Sequence, residues 1–166
     1  MTILVTGAAG FIGSNFVLDW FEQNDEHIVS LDKLTYAGNL ENLQPLENNE
    51  NHIFVRGDIA DEKLITSILN EYQPRAIINF AAESHVDRSI HGPKDFITTN
   101  IVGTYTLLEM VRNYWYNLDG QPKKKFKFLH VSTDEVYGSL DSNDPPFSET
   151  NAYAPSSPYS ASKAAS

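Results

Sequence analysis

The sequence predicts an α/β fold, a doubly wound parallel sheet with helices on both faces. Three observations carry that expectation. Short apolar runs suited to strands recur five times along the chain; segments with apolar residues at helical spacing stand between several of them; and the first run ends in a glycine-rich turn that opens into a helical pattern. Parallel strands joined this way take right-handed crossovers.

Ile3 to Thr6 is the first run, β-branched and apolar, and it stops at Gly7. After Phe11 the residues Phe16, Trp20 and Phe21 return at helical spacing, so the order is strand, tight turn, helix. His27 to Leu31 and Ile53 to Val55 are the second and third strands. Asp61 to Leu69 has acidic residues in its first turn and apolar residues at helical period, as a helix start requires. Ala76 to Phe80 is the fourth strand. Pro93 suits the first turn of a helix running to Trp115, whose apolar residues occupy more than one face and so ask for a second burial surface. Phe126 to Val131 is the fifth strand; Asp144 to Pro158 is a Pro, Ser and Asn-rich loop, and a last helix opens just before the final residue, Ser166.

With 166 residues, 41% of them hydrophobic and 20% charged, one globular domain over residues 1–166 is expected. A net charge of −10 argues against nucleic acid held by a basic surface. The one basic cluster, Lys123, Lys124, Lys125 and Lys127, reads as a solvated loop beside a strand. The absence of cysteine excludes disulfides and thiolate metal sites, and no metal is expected. No leader and no stretch approaching the roughly 20 apolar residues of a membrane span can be picked out, so a cytoplasmic protein without a membrane partner is expected.

The chemistry-bearing residues follow the strands. In Gly7-Ala8-Ala9-Gly10-Phe11-Ile12-Gly13 the glycines permit a tight turn, close approach of backbone to a pyrophosphate, and close helix-to-strand packing. One residue more separates the first two glycines than in the G-x-G-x-x-G fingerprint, and in this spacing the segment resembles the short-chain dehydrogenases and reductases. Asp32, nineteen residues after Gly13, can accept from ribose hydroxyls and would repel a 2′-phosphate, favouring NAD over NADP; it can equally be a strand-end turn former. Asp58 suits an adenine edge or a simple turn. Ser132-Thr133-Asp134-Glu135 at the end of the fifth strand offers a hydroxyl and two carboxylates for acid and base work, or a helix cap. Tyr159 and Lys163 stand at i and i+4, where an ammonium would lower the phenol's pKa and make it a base; alone, such a pair is commonplace on a helix surface.

Taken together, Thr6 to Gly13, Asp32 to Asn39, Ala81 to Ser89, Thr99 to Thr104, Ser132 to Gly138 and Tyr159 to Lys163 resemble the dTDP-glucose 4,6-dehydratases of the extended short-chain dehydrogenase family over nearly the whole chain. The resemblance implies a Rossmann-type sheet and an NAD site formed by Gly7, Gly10, Phe11, Ile12, Gly13, Asp32, Lys33, Leu34, Thr35, Asp58, Ile59, Phe80, Ala81, Ala82, Thr99, Tyr159 and Lys163. It implies that Ser84 and Thr133 meet the sugar nucleotide. In the family's reaction Tyr159 would remove the 4-hydroxyl proton as hydride leaves C4, Glu135 the C5 proton, and Asp134 would protonate the departing 6-hydroxyl before hydride returns to C6. Thr133, Asp134, Glu135, Tyr159 and Lys163 are thus the expected catalytic set, dTDP-glucose the expected substrate, and a homodimer packed through the Pro93 and Tyr159 helices the expected assembly.

Two departures stand out. The loop between Gly138 and Pro145 is shorter than in many relatives, and the sequence stops three residues after Lys163, so it reads as a piece lacking the last strands and the substrate domain, inactive by itself. The alternatives are another NAD-dependent sugar-nucleotide epimerase, decarboxylase or dehydratase, or a non-catalytic NAD-binding module.

Overall fold

The computed structural model describes residues 1–166, which pack as two compact units: Met1–Ala81 with Thr106–Val131, and Ala82–Tyr105 with Ser132–Ser166. The first unit holds the whole sheet, β1 (Thr2–Thr6), β2 (His27–Asp32), β3 (His52–Arg56), β4 (Ala76–Asn79) and β5 (Lys127–His130). All pair parallel in the order β3-β2-β1-β4-β5. Such an order reverses at β1, and open sheets of this kind bind ligands beyond the carboxyl ends of the strands at the reversal.

Parallel strands are covered on both faces and so read as continuous apolar runs. Ile3, Val5, Ile28 and Ile78 pack on one face with Val17 of α1 (Phe11–Gln23) and with Leu43 and Leu46 of a 3-10 segment, Leu40–Leu46. Leu4, Val29, Leu31 and Ile77 pack on the other with Ile65, Ile68 and Leu69 of α2 (Glu62–Tyr72) and Leu107 and Val111 of α5 (Thr104–Tyr116). Each such side chain is worth roughly 1.5–3 kcal/mol of burial. The expected α2 start is present: the Asp61 carboxylate accepts from the Lys63 and Leu64 amides at 3.0 and 3.1 Å.

The lysine cluster is solvated at Lys124, Lys125 and Lys127, as expected, but it is not a loop. Residues Gly120–Lys125 form a short helix, α6, and Lys127 begins β5, so the fifth strand is shorter than Phe126 to Val131. The Lys123 ammonium donates to the Tyr116 carbonyl at 2.9 Å and lies 4.6 Å from the Trp115 ring centre, while the Trp115 indole N–H donates to the Lys123 carbonyl at 3.1 Å. Aromatic faces and a carbonyl thus take up a charge that the sequence alone assigns to water.

The second unit has no strand. It comprises α3 (Val86–His91), α4 (Pro93–Phe96), a π-helical segment Ile97–Gly103, a 3-10 turn Asp134–Tyr137 and α7 (Pro158–Ala164). The single helix expected from Pro93 to Trp115 is therefore interrupted. The interruption falls on Thr98, Thr99, Ile101 and Val102, whose β-branches crowd a regular α turn, and on Asn100, whose side chain is bonded outside the helix.

Candidate active site

At the end of β1 the backbone turns through Gly7 at φ +66°, which favours glycine. A Cβ on Gly7 would lie 2.6 Å from the Ala81 nitrogen, and one on Gly13 would lie 2.2 Å from the Gly7 carbonyl oxygen. These two glycines are demanded by the fold itself. A Cβ on Gly10 would lie 3.3 Å from the Gly7 oxygen, a much milder conflict, so its lack of a side chain chiefly leaves the loop backbone open to a ligand. Phe11 and Ile12, at the start of α1, are 81% and 60% exposed, an arrangement that burial cannot explain.

Asp32 ends β2 nearly buried and acts as the strand-end turn former that the sequence allows. One carboxylate oxygen accepts from the Ala9 amide at 2.9 Å and the other from the Leu34 amide at 2.8 Å, which ties β2 to the glycine loop; each oxygen keeps a lone pair for a further donor. Leu34 adopts φ +55°, and Lys33 reaches across to Asp58 at 2.7 Å. That hydrogen-bonded ammonium helps hold the Asp58 carboxyl below its ordinary value although burial opposes it. Asp58 also accepts from the Ala60 amide, the turn predicted for it. Thr35 is exposed and Phe80 and Ala81 are half-buried. The Ile59 side chain is 3% exposed within the core, leaving only its backbone to offer a ligand.

The second unit gathers the remaining candidates. Thr133 Oγ1 accepts from the Glu135 amide at 3.3 Å and so caps the 3-10 turn; the same hydroxyl is hydrogen-bonded with the Tyr159 phenol. The capping reading of this stretch is thus seen in Thr133. Asp134 is exposed and Glu135 half-buried. Helix α7 starts at a capping box in which Ser157 and Ser160 satisfy each other's backbone amides. The Tyr159 amide donates to Ser89 Oγ at 3.2 Å, and its ring meets Phe96 edge-on at 6.4 Å.

Burial pushes the Tyr159 phenol above its ordinary value; the Thr133 hydrogen bond opposes the rise, and the Glu135 and Asp134 carboxylates add to it. This reverses the sign expected from the Lys163 spacing, because burial penalises the phenolate and the two carboxylates beside it add to that penalty. Lys163, only 6% exposed, is lowered by burial to about 8. Ser84 is exposed, and Ala82 and Thr99 are half-buried.

Asn100 was not among the expected site residues. It is 1% exposed, accepts from the Glu83 amide at 2.8 Å, and donates to the Glu83 carbonyl at 2.9 Å and to Ser162 Oγ at 2.8 Å. It thereby joins the segment carrying Ser84 to the helix carrying Tyr159 and Lys163. Its place beside Thr99 in the resemblance was the only signal for it. Asn42 is a second such residue, donating to the Ala9 carbonyl at 2.9 Å beneath the glycine loop.

The model of the family described as GDP-mannose 4,6 dehydratase matches residues 4–166. The chain belongs to this family. Within the GDP-mannose 4,6 dehydratase family, similar curated relatives include the dTDP-glucose 4,6-dehydratase of Xanthomonas campestris pv. campestris strain B100, 61% identical over 99% of this chain and 46% of its own, and that of Haemophilus influenzae, 54% identical over 100% and 49%. The chain spans about half the length of these relatives. Among solved structures, a dTDP-glucose 4,6-dehydratase from Streptomyces venezuelae with NAD bound aligns at TM-score 0.86 and 44% identity, covering 99% of this chain and 49% of that one. A UDP-glucose 4-epimerase from Thermotoga maritima aligns at 0.82 and 34%, covering 99% and 48%. The α/β sheet is thus shared by dehydratases and epimerases, and what distinguishes them must be sought in side chains.

Proposed function

We propose that the full-length protein is an NAD-dependent dTDP-glucose 4,6-dehydratase. The observation that carries this reading is the grouping of a Thr133-capped carboxylate pair with the Tyr159 phenol, whose ionisation both carboxylates influence. An epimerase needs a base at one hydroxyl, whereas elimination needs in addition a base at C5 and an acid at the leaving oxygen. Identity of 54–61% to curated dehydratases points the same way.

The fit to NAD rests on the glycine loop, where the backbone is unobstructed at Gly10, and on the Asp32 carboxylate with its remaining lone pairs. Gly7, Gly10, Phe11, Ile12 and Gly13 would hold the pyrophosphate, Asp32, Lys33, Leu34, Thr35, Asp58 and Ile59 the adenosine, and Phe80, Ala81, Ala82, Thr99, Tyr159 and Lys163 the rest. Bound NAD supplies the hydride acceptor and donor. The protein's own groups handle protons: Tyr159 takes that of the 4-hydroxyl, with Thr133 holding the same oxygen; Glu135 takes that of C5; Asp134 gives one to the departing 6-hydroxyl. Ser84 contacts the sugar nucleotide. The Lys163 ammonium, held beside the site at a burial cost, becomes favourable once ribose hydroxyls and an ionising phenol face it. The reading extends to a cytoplasmic homodimer with both units acting as one cofactor-binding domain; no helix is long and apolar enough to cross a membrane.

The test is incubation of the full-length protein with dTDP-glucose and substoichiometric NAD. A 4-keto-6-deoxy product without net NAD consumption is expected. A C4 epimer, or intact substrate beside measurable NAD binding, would displace the dehydratase reading.

A further inference from the structure

The turn bearing Asp134 and Glu135 is followed by a long loop whose residues the proposed reaction does not use. Tyr137, the last residue of the turn, has its ring 5.4 Å from that of Phe147 and 5.4 Å from that of Tyr153. The chain between them makes its own turns, with the Asp141 amide donating to Asp144 at 2.8 Å and the Ser148 amide to Asn151 at 2.7 Å. It then returns to the carboxylate turn: the Ala154 amide donates to the Val136 carbonyl at 3.0 Å. Gly138, at φ +104°, admits this return, since a Cβ there would lie 2.9 Å from the Ala154 oxygen. Three residues on, Ser157 caps the helix that carries Tyr159.

We propose that Tyr137, clamped between Phe147 and Tyr153, fixes the carboxylate turn relative to Tyr159, making these three aromatics positioning residues for the elimination step. Thr133 secures the first end of the turn and the clamp its last. Burial does not account for the clamp. Tyr153 is 61% exposed, Phe147 is half-buried, and neither belongs to a core cluster. In elimination Glu135 removes the C5 proton, the electron pair left behind forms the C5–C6 double bond as the C6–O bond breaks, and the Asp134 proton leaves with the oxygen as water; both carboxylates must therefore serve adjacent carbons. Oxidation at C4 uses Tyr159 and asks nothing of the turn beyond Thr133. A loosened clamp should separate the two halves of the reaction, since displacement by about 1 Å can lower a rate on the order of 100-fold.

The inference rests on the dehydratase reading, and the experiment keeps the two apart. In the full-length protein, Phe147→Ala with Tyr153→Ala is expected to keep NAD affinity within about twofold and KM within about threefold, and to lower kcat by about 10- to 100-fold. Reduced cofactor should build up in the steady state, seen by its near-ultraviolet absorbance, because oxidation outruns elimination. Tyr153→Phe, which retains the ring, should behave as wild type. Unchanged kcat, or lost turnover without reduced cofactor, would overturn the clamp. If the wild type leaves dTDP-glucose intact, the functional reading fails, and the clamp is judged by hydrogen exchange: tenfold or greater loss of Ala154 amide protection in the double variant sustains it, and equal protection rejects it.

Discussion

Each of the two units is held together internally by a different kind of force. The unit with the sheet is built from two apolar clusters on its opposite faces, and neither draws a residue from the other unit. The unit with the carboxylates and Tyr159 has no such cluster and is fixed mainly by polar side chains, with ring contacts at Tyr137: Asn100 on Glu83 and Ser162, Ser89 on the Tyr159 amide, Ser157 with Ser160, and Thr133 on the Glu135 amide. Apolar packing is nondirectional and tolerates small shifts, whereas hydrogen bonds set distance and angle. A scaffold can be made from the first; proton transfer within about 3 Å calls for the second.

The largest effect should come from Gly13→Ala in the apolar unit. With a Cβ 2.2 Å from the Gly7 oxygen, α1 must leave the sheet or the loop must open, and a loss of more than about 3 kcal/mol is expected in urea denaturation. Gly10→Ala, by contrast, should keep the fold and weaken NAD binding, read by calorimetry. Equal destabilisation by the two would break the distinction between the glycines.

Next comes Asn100→Leu in the polar unit, which strands the Glu83 amide and carbonyl and a Ser162 contact. A loss of about 3 kcal/mol is expected. Amides of residues 82–105 and 132–166 should lose hydrogen-exchange protection while β1, β2 and β4 keep theirs. Uniform loss throughout would mean that the two units are not energetically distinct.

Lys163 sharpens the contrast with the opposite sign. Its pKa of about 8 in the folded chain lies below its ordinary 10.5, so between those values the unfolded chain holds more protons and stability rises with pH. Below about 8 the full burial penalty is present. Above pH 10 the raised Tyr159 acts the other way, since the folded chain then keeps a proton that the unfolded chain releases. Lys163→Met should therefore flatten the rise in stability between about pH 8 and 10 and abolish turnover. Thermal melts across pH would reveal it; a rise between about pH 8 and 10 that survives the substitution unchanged would contradict it. The smallest change is Ser157→Ala, which removes half of the capping box and should cost about 1 kcal/mol.

Legibility in the sequence followed the same division. The five strands, α1 and α2 announce themselves through apolar runs and period, since contiguous residues make the pattern that the core reads. The glycine loop was legible because Gly7 answers its own left-handed backbone and Gly13 a steric demand a few residues away, both local to the motif. Hidden were α3, the π-helical segment and the 3-10 segment at Leu40–Leu46, whose conformations lean on partners distant in sequence. Asn100 and Ser162 are 62 residues apart, and Asn42 and Ala9 are 33 apart. The sign of the Tyr159 shift was likewise out of reach, because spacing reveals the lysine on the same helix but neither the depth of burial nor the carboxylates facing the phenol.

The central claim is that the pyrophosphate and adenosine of the cofactor are held by the apolar unit and its loop, and that elimination depends on the carboxylate turn of the polar one. Its most direct test is the full-length protein with Asp134→Ala and Glu135→Ala together, measuring NAD affinity by calorimetry and dTDP-glucose turnover by product analysis. NAD affinity within about twofold of wild type with turnover lowered by at least about 100-fold is the predicted result. Turnover that survives the double substitution, or NAD affinity that falls along with it, would contradict the account.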